Sequence, residues 1–277
     1  MEASLSAKWD RLRRRLQELE SVAVAFSAGV DSTLVLKAAL ETLGAERVLA
    51  LTGRSASVPA SEVDEARELA ARMGARHVVI DTDEFANPNY TANPTNRCYY
   101  CKSTLYEQMA PMALSRGMAW IVSGTNADDL GDWRPGLQAA AERRVAAPLA
   151  DCGFTKADVR ALSEHFGLPT HDKPASPCLS SRIPYGHEVT PAKLRAVEGG
   201  ESWLRKRFDI RECRVRHYGE LARVEVPLAN LAVVTAAQRE VGEQFADLGF
   251  SQVEIDPRGF RSGSLNDVIA FGNRQSD

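Results

Sequence analysis

No stretch of the sequence approaches the roughly 20 apolar residues that a membrane helix requires, which argues against a spanning protein. The amino terminus, MEASLSAKWDRLRRRLQELE, is charged and helix-periodic and lacks the apolar core of a signal peptide. A cytoplasmic location is the expectation. A large excess of one charge is also missing: 34 Lys and Arg against 37 Asp and Glu leave a net charge of −3. Such a balance gives no general attraction to a polyanion, so a nucleic-acid partner is not expected. Cysteine is scarce and odd in number, five in 277 residues, which argues against a disulfide framework. Internal repeats and low-complexity tracts are absent.

What is present is a rhythm. Short apolar runs, VAVAF at 22–26, VLALT at 48–52, HVVID at 77–81 and WIVSG at 120–124, alternate with helix-periodic segments. That alternation predicts an α/β fold with a parallel, doubly wound sheet, whose ligands bind beyond the carboxyl ends of the strands. Ser27–Ser32, Gly53–Ser57, the loop before Cys98 and Gly124–Asp129 then surround one crevice. KADVRALSEHFGLP reads as a helix ending at Gly167. From about Thr190 the order becomes helix, hairpin, helix and strand, which predicts a smaller α+β domain of ferredoxin-like type. The boundaries are 1–175 for the first domain, 176–189 for a cysteine-bearing linker and 190–277 for the second domain.

SAGVDS at 27–32 follows a buried strand and precedes a helix. Gly29 lets backbone amides approach an oxyanion, the helix amino terminus favours negative charge, and Ser27 and Ser32 add hydroxyl donors. Asp31 makes sense there beside Mg²⁺ or as a helix cap. An ordinary capped turn is the plainer alternative. In SGTNADDLGDWRPG at 123–136, Gly124 permits a sharp turn, while Asp128 and Asp129 are hard oxygen ligands suited to Mg²⁺; a solvated acidic turn competes with that reading.

Cys98 and Cys101 form a CxxC at the start of a predicted helix, and Cys178 lies apart in SPCLSSRIPYG. Three thiolates suit a [4Fe-4S] cluster with one open corner, or zinc, and the pair alone suits a redox disulfide. Cys152 and Cys213 have no such neighbour and read as packed apolar side chains. Lys173 and Arg182 flank Cys178 as candidates to stabilise a thiolate or a tetrahedral oxyanion; surface charge is the alternative. Arg214 and Arg216 alternate on one face of a predicted strand, and Arg261 lies in GFRSG.

SAGVDS resembles the SGGxDS loop of the PP-loop ATP pyrophosphatases, with Ala28 at one of the pattern's two glycine positions. A methyl group is tolerable there at negative φ and narrows the loop otherwise. The ordered set SAGVDSTLVLKAAL, RCYYCK, SGTNADDLGDWRPGL, PCLSSRIPYG, CRVRHYG and GFRSG, spanning nearly the whole chain, resembles the LarE family of sulfur transferases. The resemblance implies an enzyme that uses ATP and Mg²⁺ to adenylylate the carboxylates of pyridinium-3,5-biscarboxylic acid mononucleotide. Thiocarboxylates for a nickel-pincer nucleotide then form, with AMP and pyrophosphate released. It implies a nucleotide site formed by Ser27, Gly29, Asp31, Ser32, Gly124 and Asp129, with the carboxylates of Asp31 and Asp129 toward Mg²⁺. It also implies that Arg214, Arg216 and Arg261 bind the substrate phosphate, with Glu225 orienting them or binding the ribose. Two sulfur sources occur in the family, a sacrificed cysteine matching Cys178 or a [4Fe-4S] cluster on three cysteines. Cys98 and Cys101 favour the cluster, because a sacrificial enzyme leaves the CxxC unexplained. A sulfide donor, a downstream nickel insertase and homo-oligomeric assembly are the implied partners. Competing readings are a PP-loop tRNA thiolase and a non-catalytic, zinc-stabilised nucleotide-binding module.

Overall fold

The computed structural model describes residues 3–131 and 135–261. They divide into two compact units, residues 3–87 with 96–131 and 135–176, and residues 88–95 with 177–261. The short segment 88–95 thus clusters with the second unit, as does 177–189, part of the segment that the sequence reading sets apart as a linker.

Among the described residues the first unit holds four strands, β1 (Val22–Ala25), β2 (Val48–Arg54), β3 (Arg76–Asp81) and β4 (Trp120–Val122), in the order β3-β2-β1-β4 with every pairing parallel. Its helices are α1 (Ala3–Leu19), α2 (Val30–Leu43) and α3 (Ala60–Arg72). The second unit contributes α4 (Pro88–Thr91) between these and the remaining helices of the first, α5 (Arg97–Ser115), α6 (Pro135–Glu142), α7 (Pro148–Asp151) and α8 (Lys156–His165). β1 and most of β2 are buried on both faces, which is why those central runs read as continuously apolar, while β3 is half-buried and Trp120 of β4 is exposed. Val22, Val24 and Phe26 pack with Leu12, Leu16, Leu34, Leu69 and Leu162 on one face. Ala23, Leu49 and Leu51 pack with Tyr106 and Met109 of α5 on the other. The order reverses between β1 and β4, so the crevice at their carboxyl ends is a topological switch point. SAGVDS follows β1, and the Gly124 loop follows β4.

The second unit contains α9 (Pro191–Phe208), β5 (Arg214–Tyr218), β6 (Leu221–Glu225), α10 (Leu228–Ala236), α11 (Gln238–Ala246) and β7 (Gln252–Ile255). It is the smaller α+β unit that the sequence predicts, with one correction. β5 and β6 are antiparallel but β6 and β7 are parallel, a three-stranded mixed sheet among the described residues rather than a ferredoxin-like one. The segment read as one helix from Asn230 breaks at Ala237, which closes α10 and opens α11.

Candidate active site

At the amino terminus of α2, Gly29 is the N-cap in extended backbone and supplies no side-chain cap. The first-turn amides therefore face outward from a glycine, the arrangement that receives an anion. Ser27 and Ser32 lie with their Oγ atoms 3.2 Å apart, and the Ser32 hydroxyl donates to the Gly29 carbonyl at 3.2 Å. Ala28 is fully buried at φ +52°. That is the left-handed region, so its methyl group is strained by about 1 kcal/mol, the unfavourable branch of the condition set by the sequence. Lys173 braces this turn: its Nζ donates to the Ala28 carbonyl at 3.3 Å and to Glu62 and Glu65 at 2.8 and 2.7 Å.

The Gly124 loop closes against the same helix. A Cβ at Gly124 would lie 2.7 Å from the Ser32 backbone nitrogen and 3.0 Å from the Asp31 carbonyl carbon. Only glycine permits this approach. Asp31 is not a helix cap: its Oδ1 accepts from Asn126 Nδ2 at 3.0 Å and its Oδ2 from Lys156 Nζ at 2.5 Å. Asp129 accepts the Asn126 backbone N–H at 3.0 Å, and Asp128 accepts the Lys156 backbone N–H at 2.8 Å. These two carboxylates shape the turn and fix the start of α8. Asn126 and Lys156 escape a sequence reading. Lys156 follows the Thr155 N-cap of a capping box with Asp158 and looks like any first-turn residue until the fold sets it beside Asp31.

The neighbouring strand ends are tied in. Thr52 donates to the Phe26 carbonyl at 2.7 Å and meets His77 Nε2 at 2.8 Å. With its hydroxyl proton committed, Thr52 receives the imidazole N–H. Burial, followed by the nearby Arg67, holds His77 below the ordinary imidazole range. Ser55 and Ser57 donate to the buried Glu84 at 2.5 and 2.8 Å.

Cys98 and Cys101 lie in the first and second turns of α5, three residues apart and hence on one side of the helix, the former exposed and the latter half-buried. Gly136 of α6 lies against the Cys98 carbonyl and Lys102. In the second unit Cys178 is the half-buried N-cap of a 3-10 turn, Leu179–Arg182. Arg182, 2% exposed, donates to both oxygens of Glu201 at 2.8 and 3.0 Å and to the carbonyls of Pro177 and Cys178 at 2.6 and 3.0 Å. It holds the Cys178 backbone. The donors of Lys173 run to two carboxylates and a main-chain carbonyl, and those of Arg182 to Glu201, two main-chain carbonyls and the Ser181 hydroxyl. Cys152 and Cys213 are buried; burial raises both thiols, Cys213 to about 12, which fits packing rather than chemistry.

Among the described residues no group of three His, Cys, Asp or Glu is placed to hold a metal ion. Cys98, Cys101 and Cys178 are outside disulfides, and each reaches the surface at least in part.

Arg214 and Arg216 share one face of β5, and both are buried. Glu225 grips Arg216 with two bonds of 3.0 Å, and Arg216 also donates to the Ser181 carbonyl at 2.9 Å. Arg214 stacks on Phe260 at 4.9 Å, and burial, then Arg182, lowers its affinity for a proton. Arg205 donates to Glu201 at 2.7 Å. Three guanidinium groups, those of Arg182, Arg205 and Arg216, thus bond two carboxylates, Glu201 and Glu225, and the fourth, Arg214, lies within the field of Glu201 while donating to the Cys213 carbonyl. Arg261 is exposed just after Phe260; Ser262 and Gly263 of GFRSG, and 132–134 of the Gly124 motif, lie outside the described residues.

The family model described as NAD synthase matches residues 5–96, the stretch that carries SAGVDS. The chain is 44% identical over 267 residues to an uncharacterised protein of Synechocystis sp., covering 96% of this chain and 99% of that one. Pyridinium-3,5-bisthiocarboxylic acid mononucleotide synthase of Lactiplantibacillus plantarum is 36% identical over 267 residues, 96% of each chain. The tRNA-specific 2-thiouridylase MnmA of Xanthobacter autotrophicus is 29% identical over 283 residues, covering 85% of this chain and 72% of that one. A loop built for phosphate at a switch point, with relatives of this kind along its full length, leads to one assignment: the chain belongs to the pyridinium-3,5-bisthiocarboxylic acid mononucleotide synthase, or LarE, family of ATP-dependent PP-loop sulfur transferases.

Proposed function

We propose that this chain adenylylates the carboxylates of pyridinium-3,5-biscarboxylic acid mononucleotide and converts them to thiocarboxylates, a step in nickel-pincer nucleotide synthesis. The observation that carries the reading is the Ser27–Ser32 turn at the amino terminus of α2, closed by Gly124 and braced by Lys173. A free carboxylate is a poor acyl electrophile because oxide is a poor leaving group. One carboxylate oxygen attacks the α-phosphorus of ATP, the α–β bridging bond breaks, and its electron pair leaves with pyrophosphate. In the mixed anhydride AMP becomes the leaving group, which sulfur displaces. Ser27, Gly29 and Ser32 hold the phosphates, while Asp31 and Asp129 supply carboxylates suited to Mg²⁺. Four guanidinium groups against two carboxylates leave an excess of two positive charges, which matches a monoester phosphate dianion. Arg214, Arg216 and Arg261 bind it, with Glu225 orienting Arg216.

Cys98, Cys101 and Cys178 hold a [4Fe-4S] cluster, which supplies the sulfide when bound. The amino-terminal position of Cys98 and Cys101 on α5 supports this, since that end of a helix favours anionic sulfur. The chain acts in the cytoplasm as a homo-oligomer, with a sulfide donor and a nickel insertase as partners. The test is anaerobic purification with iron and acid-labile sulfide measured, and intact polypeptide mass taken after turnover. Cys98→Ala and Cys101→Ala should lose iron and sulfur transfer and keep adenylylation. Loss of one H₂S from Cys178 during turnover would instead establish the sacrificial route.

A further inference from the structure

Two residues to which no role has been given, Asn126 and Lys156, converge on the assigned Asp31 at the head of α2. We propose that Lys156 is a catalytic cation of the nucleotide site, which exchanges its ion pair with Asp31 for the pyrophosphate end of bound ATP. The inference rests on the adenylylation reading.

Asp31 sits in the first turn of α2, so its negative charge lies where the helix amides favour phosphate. Lys156 cancels that charge, with Nζ 2.5 Å from Oδ2. The carboxylate is held a second time, by the neutral Asn126 amide on Oδ1 at 3.0 Å. Lys156 can therefore leave without releasing the orientation of Asp31. Its backbone is fixed independently, through the N–H donated to Asp128 at 2.8 Å and the Thr155–Asp158 capping box one residue earlier. Only the side chain needs to move, and it is 40% exposed.

Magnitudes favour the exchange. An ion pair this open to water is worth about a five-fold bias at most. A triphosphate brings several negative charges to the same helix terminus, and a lysine on a flexible stem follows a point charge readily. As the substrate oxygen bonds to the α-phosphorus and the α–β bridging bond breaks, charge accumulates on the departing pyrophosphate. Lys156 offsets it, and no proton need move. Lys173 behaves differently: it is only 15% exposed and has three partners, Glu62, Glu65 and the Ala28 carbonyl, so it stays an anchor of the loop.

The test compares the full-length protein with Lys156→Gln and Lys156→Arg by calorimetric binding of magnesium pyrophosphate and of AMP, and by the kcat of AMP formation. For Lys156→Gln, pyrophosphate affinity should fall at least about ten-fold while AMP affinity stays within about two-fold. Its kcat should fall about 100-fold, the scale of losing one transition-state donor. Lys156→Arg should recover most of both. Unchanged pyrophosphate affinity and kcat in Lys156→Gln would overturn the proposal. So would equal losses toward pyrophosphate and AMP, the signature of a residue that merely holds the turn. Failure of the wild-type protein to bind either ligand would overturn the adenylylation reading itself, and the wild-type arm separates the two failures.

Discussion

An alanine at position 124 would set its Cβ 2.7 Å from the Ser32 backbone nitrogen, 3.0 Å from the Asp31 carbonyl carbon and 3.1 Å from Asp31 Cβ. The first two are main-chain atoms in the first turn of α2 and cannot rotate away. The gap must open by about 0.7 Å to reach ordinary contact, by moving the loop after β4, the head of α2, or both. The overpacking should cost about 1–3 kcal/mol of stability. A shift of that size between reacting groups should lower the rate of AMP formation by about 100-fold. Gly53→Ala is the matched control. Its Cβ would fall 2.6 Å from Leu105 Cδ1 and 3.2 Å from Thr82 Cγ2, both terminal methyl groups that can turn aside. The assay is release of labelled AMP from α-labelled ATP, paired with urea denaturation. Gly53→Ala should stay within about three-fold of wild type in rate, because side-chain rearrangement absorbs the added methyl. A Gly124→Ala protein with wild-type AMP formation would refute the claim that this approach shapes the site.

At Ala28, glycine should relieve about 1 kcal/mol of left-handed strain while giving back a similar amount through a freer unfolded chain, so urea denaturation should show little net change. Ala28→Val, β-branched at positive φ, should destabilise by more than about 2 kcal/mol in the same measurement. Arg182→Met should cost about 3–5 kcal/mol, because it strips a buried partner from Glu201, and a loss below about 1 kcal/mol would contradict the pairing. Burial depresses the proton affinity of His77, so the unfolded chain binds more protons than the folded one near its ordinary value of about 6.5. Stability should therefore fall as pH drops through that value, and His77→Gln should weaken the dependence in denaturation curves taken between about pH 5 and 8.

The parallel sheet was legible because the central strands β1 and β2 are buried on both faces and read as apolar runs, with helix-periodic segments between the strands. The phosphate turn was legible because strand, glycine, hydroxyls and helix fall within ten residues. The boundary at Ala237 was not, since Ala-Ala continues the helical pattern while the chain leaves it. Residue type announced Arg214 and Arg216, and the resemblance pointed to Glu225 as orienting them, but nothing announced that Phe260 would stack on Arg214, which depends on a returning loop. Lys156 and Asp31 are 125 positions apart, and only the order of β1 and β4 brings them together. Likewise the partners of Arg182 appear once α9 places Glu201 beside the Cys178 turn.

The most direct test of electrophile generation uses ATP labelled at the α-phosphorus with pyridinium-3,5-biscarboxylic acid mononucleotide, in the presence and absence of sulfide. Labelled AMP, or its mixed anhydride, should appear only with the dicarboxylic acid, with one pyrophosphate released for each. Labelled ADP, or AMP formed at the same rate without the acid, would contradict it.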